Sequence, residues 1–112
     1  MRLRNAAIAA ASAVTLVLAI PGSASATVGE FRYTFRDAGA EQTGWLVDPP
    51  SGPCIDLDGA TDEDPAHTPK NWTASTARVF LGFGCDESAP SFVLRPGGGA
   101  SDRLLVRSVR FS

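Results

Sequence analysis

Two cysteines, one histidine and one methionine are all that the 112-residue chain holds of those types. One histidine and two cysteines fall short of the four ligands of a structural zinc site, and the cysteines are not spaced as Cys-x-x-Cys. The same scarcity leaves only His67 for base chemistry of the Ser–His–Asp kind, and no Gly-x-Ser-x-Gly elbow accompanies it. Clustered basic side chains are missing too. The five arginines from Arg78 onward stand singly, so the electrostatic footprint of a nucleic-acid or anionic-membrane binder is lacking. Past residue 26 no segment carries apolar residues at helical period.

What the chain does have begins with a leader. Arg2 and Arg4 give a short positive start, residues 6–20 form an unbroken, weakly apolar run, Pro21-Gly22 stops it, and Ala24-Ser25-Ala26 supplies small residues at a cleavage site. That is the layout of a secretory signal peptide over residues 1–26. The run is shorter than the roughly 20 apolar residues of a membrane span. No cysteine follows it to carry a lipid anchor, so export and release to the extracellular space are expected, with no membrane contact after cleavage. Residues 27–112 then form one domain of 86 residues, too few for two. Without Arg2 and Arg4, eight basic side chains face twelve acidic ones, a net charge of −4 with His67 neutral.

In an exported chain two cysteines have one possible pairing, so Cys54 and Cys85 are expected to form a disulfide. Closing that loop contributes about 3–4 kcal/mol in the chain-entropy model. A small domain is stable by only about 5–10 kcal/mol, so the bridge is a large share.

Strand patterns fill the remainder. Phe31, Tyr33 and Phe35 alternate with Glu30, Arg32, Thr34 and Arg36, which predicts a strand over 28–36 with aromatics on one face and charge on the other. Asp37-Ala38-Gly39 is a turn. Residues 43–48, around Trp45, Leu46 and Val47, are a short apolar run. It is ended by Pro49-Pro50-Ser51-Gly52-Pro53, which lacks three backbone donors and is read as a loop. A short strand is expected over 54–57, then an exposed, acidic connection over 58–71. Strand character returns over 73–83 (Ala77, Val79, Leu81 and Phe83 on one face), over 91–95, and over 103–111 (Leu105, Val109 and Phe111 on one face). Pro96-Gly97-Gly98-Gly99 reads as a flexible turn. Five or six short strands separated by Gly and Pro clusters indicate an all-β fold, a small Greek-key sandwich or compact barrel with one disulfide. The two halves are similar in length and each holds one cysteine, but no residue-by-residue repeat relates them.

The stretches Asn71-Trp72-Thr73-Ala74-Ser75-Thr76-Ala77-Arg78-Val79-Phe80, Gly84-Cys85, Leu94-Arg95-Pro96-Gly97 and Ser108-Val109-Arg110-Phe111 resemble small secreted actinobacterial proteins. Some of these are similar to βγ-crystallin-like Greek-key domains, a group that includes a metalloprotease-inhibitor family. The resemblance covers about the last 40 residues together with Cys54, and it implies a β-rich fold and an inhibitor role. A crystallin-type calcium motif would set paired Asp or Asn two positions before a Ser/Thr-Ser pair. Ser101-Asp102-Arg103-Leu104-Leu105-Val106-Arg107-Ser108 departs from that pattern, with extra residues and a single hydroxyl at its end in place of the pair.

Few residues point to chemistry. Asp56, Asp58, Asp62, Glu63 and Asp64 are oxygen donors of the kind Ca²⁺ takes, but Gly59 comes too early for a helix–loop–helix calcium loop. A solvated acidic loop is the reading adopted, with no metal and no cofactor. His67, in Pro65-Ala66-His67-Thr68-Pro69, reads as an exposed loop side chain. Pairs of acids for glycoside hydrolysis are too easily drawn from twelve to mean anything, and the core is too small to frame a long cleft. Asn71-Trp72-Thr73 matches the glycosylation pattern, though a threonine opening a strand explains it as well. Of the nine aromatics past residue 26, the phenylalanines fall at strand spacing and read as core. Trp45 and Trp72 lie near strand ends, where an indole can bury its body and satisfy its N–H. Edge packing and a binding surface both remain open for them.

The expectation is a non-catalytic extracellular binding protein, not an enzyme. Its most concrete form is a peptidase inhibitor that presents Pro49, Pro50, Ser51, Gly52 and Pro53 to a secreted protease as a rigid loop, which loses little entropy on docking. The alternative is a structural or cell-surface module, calcium-stabilised or not, that meets glycan or protein through Trp45 and Trp72.

Overall fold

Alternation of large apolar and polar residues builds the first strand, β1 (Gly29–Asp37), which buries Phe31 and Tyr33 and half-buries Phe35. The structure, a computed structural model, describes residues 26–112. The signal-peptide reading therefore lies outside the described residues, Ala26 excepted. A two-residue turn with positive φ at Ala38 and Gly39 returns the chain into β2 (Ala40–Val47), which pairs with β1 without a slip from Glu30↔Val47 to Asp37↔Ala40. Positive φ at both central residues is the turn geometry that matches strand twist. It starts β2 three residues earlier than the apolar run suggests.

The chain then passes to β3 (Cys54–Asp56), β4 (Ala66–Thr73), β5 (Ala77–Phe80), a single 3-10 turn (Phe83–Cys85), β6 (Ser91–Leu94), β7 (Leu105–Val106) and β8 (Ser108–Phe111). Two antiparallel four-stranded sheets result, ordered β2-β1-β4-β7 and β6-β5-β8-β3. Adding four to each strand number in one order, cyclically, gives the other. Each half of the chain is a four-strand key that lends its third strand to the opposite sheet, so the halves interlock. The topology is duplicated although the sequence is not. Phe31, Tyr33, Val79, Val106, Val109 and Phe111 fill the interface between the sheets, and the Phe31 and Phe111 rings meet edge to face at 5.5 Å.

The fold is the expected all-β sandwich, with eight strands instead of five or six. The extra ones come from two places. Residues 66–71, read as the end of an exposed connection, belong to β4, which is paired to β1 on one side and β7 on the other. The stretch 103–111, read as one strand, is two. The chain changes sheet at Arg107, so Val106, not Leu105, is buried with Val109 and Phe111. The strand predicted over 73–83 is shorter than expected, and Phe83 leaves it for the 3-10 turn and is exposed.

The acidic segment is held in place by Arg107. Its guanidinium donates to the carbonyls of Thr61 (2.9 Å), Asp62 (2.8 Å) and Leu81 (2.7 Å). The Pro96–Gly99 turn is likewise tied down. Gly97 N donates to Asn71 O, Asn71 N to Gly98 O and Ala100 N to Pro69 O, at 2.6–3.0 Å. Gly99 bridges Lys70 as a further rung beside β4.

Cys54 and Cys85 form the expected disulfide, with Cα atoms 5.9 Å apart. It fastens the three-residue edge strand β3 to the loop between β5 and β6. Among the described residues no helix is long and apolar enough to cross a membrane.

Candidate functional site

Because Phe31 and Tyr33 point inward, Arg32 between them points out of the β2-β1-β4-β7 sheet. The register then decides its company. Arg32 lies opposite Trp45 on β2 and opposite Lys70 on β4, while Trp72 lies opposite Glu30. The guanidinium carbon of Arg32 is 4.8 Å from the centroid of Trp45 and 4.6 Å from that of Trp72. Arg32 Nε also donates to Glu30 Oε1 at 3.0 Å. One cation thus joins two indoles from strands on either side of it, and each tryptophan residue is still about half exposed (55% and 49%). A cation over an exposed indole contributes about 0.5–1 kcal/mol. It also biases both rings toward this arrangement on one face.

A bulge shapes the ground beside them. On β4, Thr68 and Pro69 together oppose the single residue Tyr33, between the Arg32↔Lys70 and Thr34↔His67 pairs. Proline has no N–H for a ladder, so inside a sheet it needs such a break. Thr68 takes φ 53° there, a costly conformation for a β-branched residue. Beside it opens a groove of about 180 Å3 lined by Arg32, Thr34, Thr43, Thr68, Lys70 and Trp72, with Tyr33 also at its wall. A larger, open groove of about 570 Å3 lies toward the glycine turn, lined by Lys70, Trp72, Gly97, Gly99, Ala100 and Ser101. Lys70 and Trp72 line both.

Trp45 and Trp72, far apart in the chain, are therefore brought to one face. The proline loop is placed separately. Pro49 is buried and its carbonyl accepts from Thr27 N (2.9 Å), Pro50 bridges Ala26, and Gly52 N donates to Phe111 O (2.9 Å). Pro50, Gly52 and Pro53 are exposed, Ser51 is half-buried, and Cys54 ends the loop at the disulfide. The segment is a strap from one sheet to the other, anchored at three points.

His67 is not on a loop. It sits on β4, half-buried, with Nδ1 2.7 Å from Thr68 Oγ1 and Nε2 3.4 Å from Glu41 Oε1, while Glu41 Oε2 accepts from Arg36 at 3.0 Å. This network carries no serine hydroxyl. Among the described residues no three His, Cys, Asp or Glu side chains converge as a metal site would need. Asn71 of the glycosylation pattern is fully buried. Its Nδ2 donates to Ser75 O and Leu94 O, and its Oδ1 accepts from Thr73 N and Oγ1. The folded chain leaves it nothing to offer a sugar transferase.

Sequence reasoning singled out both tryptophans but missed Arg32, Lys70 and the threonines. The signal available was the inward pattern of β1, which puts Arg32 outside, but its neighbours depend on register. No protein-family model matches the chain, and neither does a characterised protein or a solved structure.

Proposed function

We propose that this chain is a secreted, non-catalytic binding protein whose contact surface is the Trp45–Arg32–Trp72 face of the β2-β1-β4-β7 sheet. The observation that carries this reading is the pair of half-exposed indoles held by one arginine. Trp and Arg dominate binding hot spots because they bury large area, and rings already biased toward one arrangement lose less entropy when a partner docks. The Cys54–Cys85 disulfide favours an oxidising compartment, in keeping with the leader read over residues 1–26.

The test is capture of the purified protein on insoluble glycans and on extracellular protein extracts, alongside Trp45→Ala and Trp72→Ala. Both side chains are half-exposed, so the variants are expected to fold and to lose at least about tenfold in affinity each, on the scale of a hot-spot truncation. Capture that survives the double substitution would refute the reading.

A second reading has its own observation. The exposed Pro50, Gly52 and Pro53, held between backbone anchors and the disulfide, form a stiff loop of the kind a peptidase inhibitor presents. Here the resemblance to the Greek-key inhibitor group supplies the expectation. Incubation with secreted metallo-, serine and cysteine proteases tests it, and full protease activity at stoichiometric excess of the protein would remove it.

A further inference from the structure

We infer that the partner of the Trp face is an acidic polysaccharide, a polymer of uronic-acid sugars, laid across β1, β4 and the glycine turn with Lys70 receiving a carboxylate. This rests on the binding reading above and names its ligand class.

The two grooves lie on either side of one ridge made by Lys70 and Trp72. Lys70 pairs with Arg32 on β1 and bridges Gly99 on the other side. Three adjacent backbones span about 10 Å at ordinary strand spacing, the scale of a disaccharide. Successive residues of a linear sugar polymer would therefore meet the two grooves in turn, with the indole between them. The smaller groove is lined by Thr34, Thr43 and Thr68, the last with its hydroxyl already engaged by His67 Nδ1. The larger has a floor of Gly97 and Gly99, where no side chain keeps a ligand from the backbone. Gly99 is kept bare by packing: a Cβ there would stand 3.0 Å from Pro69 O and 3.2 Å from Lys70 Cδ. Hydroxyl and backbone partners beside an aromatic face suit pyranose rings, which have apolar faces and hydroxylated rims.

Charge selects among sugars. Lys70 is the only lysine in a chain with more acidic than basic residues. It is exposed and has no ion-pair partner among the described residues. Neither groove is lined by an acidic side chain, and the two acids on this outward face, Glu30 and Glu41, are paired with Arg32 and Arg36. One free cation between two aromatic and hydroxyl-lined grooves matches a polymer with a carboxylate at intervals.

The experiment is a tryptophan-fluorescence titration of the purified protein with oligomers of polygalacturonate, alginate and hyaluronate, with methyl-esterified oligogalacturonate and cello-oligomers as uncharged counterparts. At least one uronate oligomer is expected to bind, and its uncharged counterpart about tenfold more weakly, as loss of a charged hydrogen bond implies. Lys70→Met should weaken the acidic ligand by a similar factor and leave the neutral one unchanged, while Lys70→Arg retains binding. Equal binding of acid and ester, indifference to Lys70→Met, or no binding of any uronate would each overturn the inference. In all three cases the aromatic-face reading stands if some other glycan or protein is still lost on Trp72→Ala, and falls with it if none is.

Discussion

Tyr33 shows how one buried polar atom ties distant parts of the chain together. Its ring fills the space above Gly44 on β2, where a Cβ would collide with it, and its hydroxyl donates to the Asp58 carbonyl at 2.9 Å. Burial, with the Asp58 carboxylate as a second cause, raises the phenol above its ordinary value of 10.0. Below that value both folded and unfolded chains keep the proton and stability does not depend on it. Above it the unfolded chain loses the proton first, so folding weakens as pH climbs toward the folded value. Tyr33→Phe is therefore expected to cost about 1 kcal/mol at neutral pH, the net worth of a hydrogen bond. It should also lose less stability than the wild type between neutral pH and alkaline pH above 10. Urea midpoints at the two pH values check both parts, and parallel alkaline losses would contradict the second.

At the scale of an element, β4 is the strand on which the site depends. It stands between β1 and β7, carries Lys70 and Trp72 outward, and anchors the glycine turn through Asn71. The Asn71 side chain reaches the carbonyl of Leu94 at the end of β6 and of Ser75 before β5, so one residue joins the two sheets. Asn71→Leu preserves size but leaves those carbonyls and the Thr73 N–H with lost partners in a buried site. A cost of about 3 kcal/mol is expected, seen as a fall in Tm on the order of 15 °C. A fall of under a few degrees would mean that Asn71 does not hold the sheets.

Little in the sequence marks β4 as a strand. Its inward positions are Ala66, Pro69, Asn71 and Thr73, small or polar where a core strand ordinarily shows large apolar residues. The bulge at Thr68 and Pro69 also shifts the alternation. By contrast β1 is plain in the sequence, because its aromatics keep strict period and pair without a break against β2.

For the molecule as a whole, the disulfide and the exchanged third strands perform related tasks. Each key lends β3 or β7 to the opposite sheet, so neither half can complete a sheet alone. Both lent strands are short, three and two residues. The bond from Cys54 holds one of them to the β5–β6 loop across a separation of 31 residues. Arg107, next to the other, clamps three carbonyls instead. The double variant Cys54→Ser/Cys85→Ser is expected to lose about 3–4 kcal/mol. With a slope near the low end for small proteins, its urea midpoint falls by roughly 2–3 M. An unchanged midpoint would show that interlocking alone sustains the fold.

Local pattern settled the class of structure and its covalent staple. Period-two aromatics, Gly and Pro breaks and a lone cysteine pair are properties of neighbours along the chain, and they are enough to require sheets, turns and a bridge. Which strands meet is a property of register and crossing, set by the joint packing of both layers and invisible in any one segment. Trp45, Arg32 and Trp72 come together because β2 and β4 both lie against β1 in a particular alignment. A shift of one residue would turn each of them to the opposite face, and the surface proposed for binding would not exist.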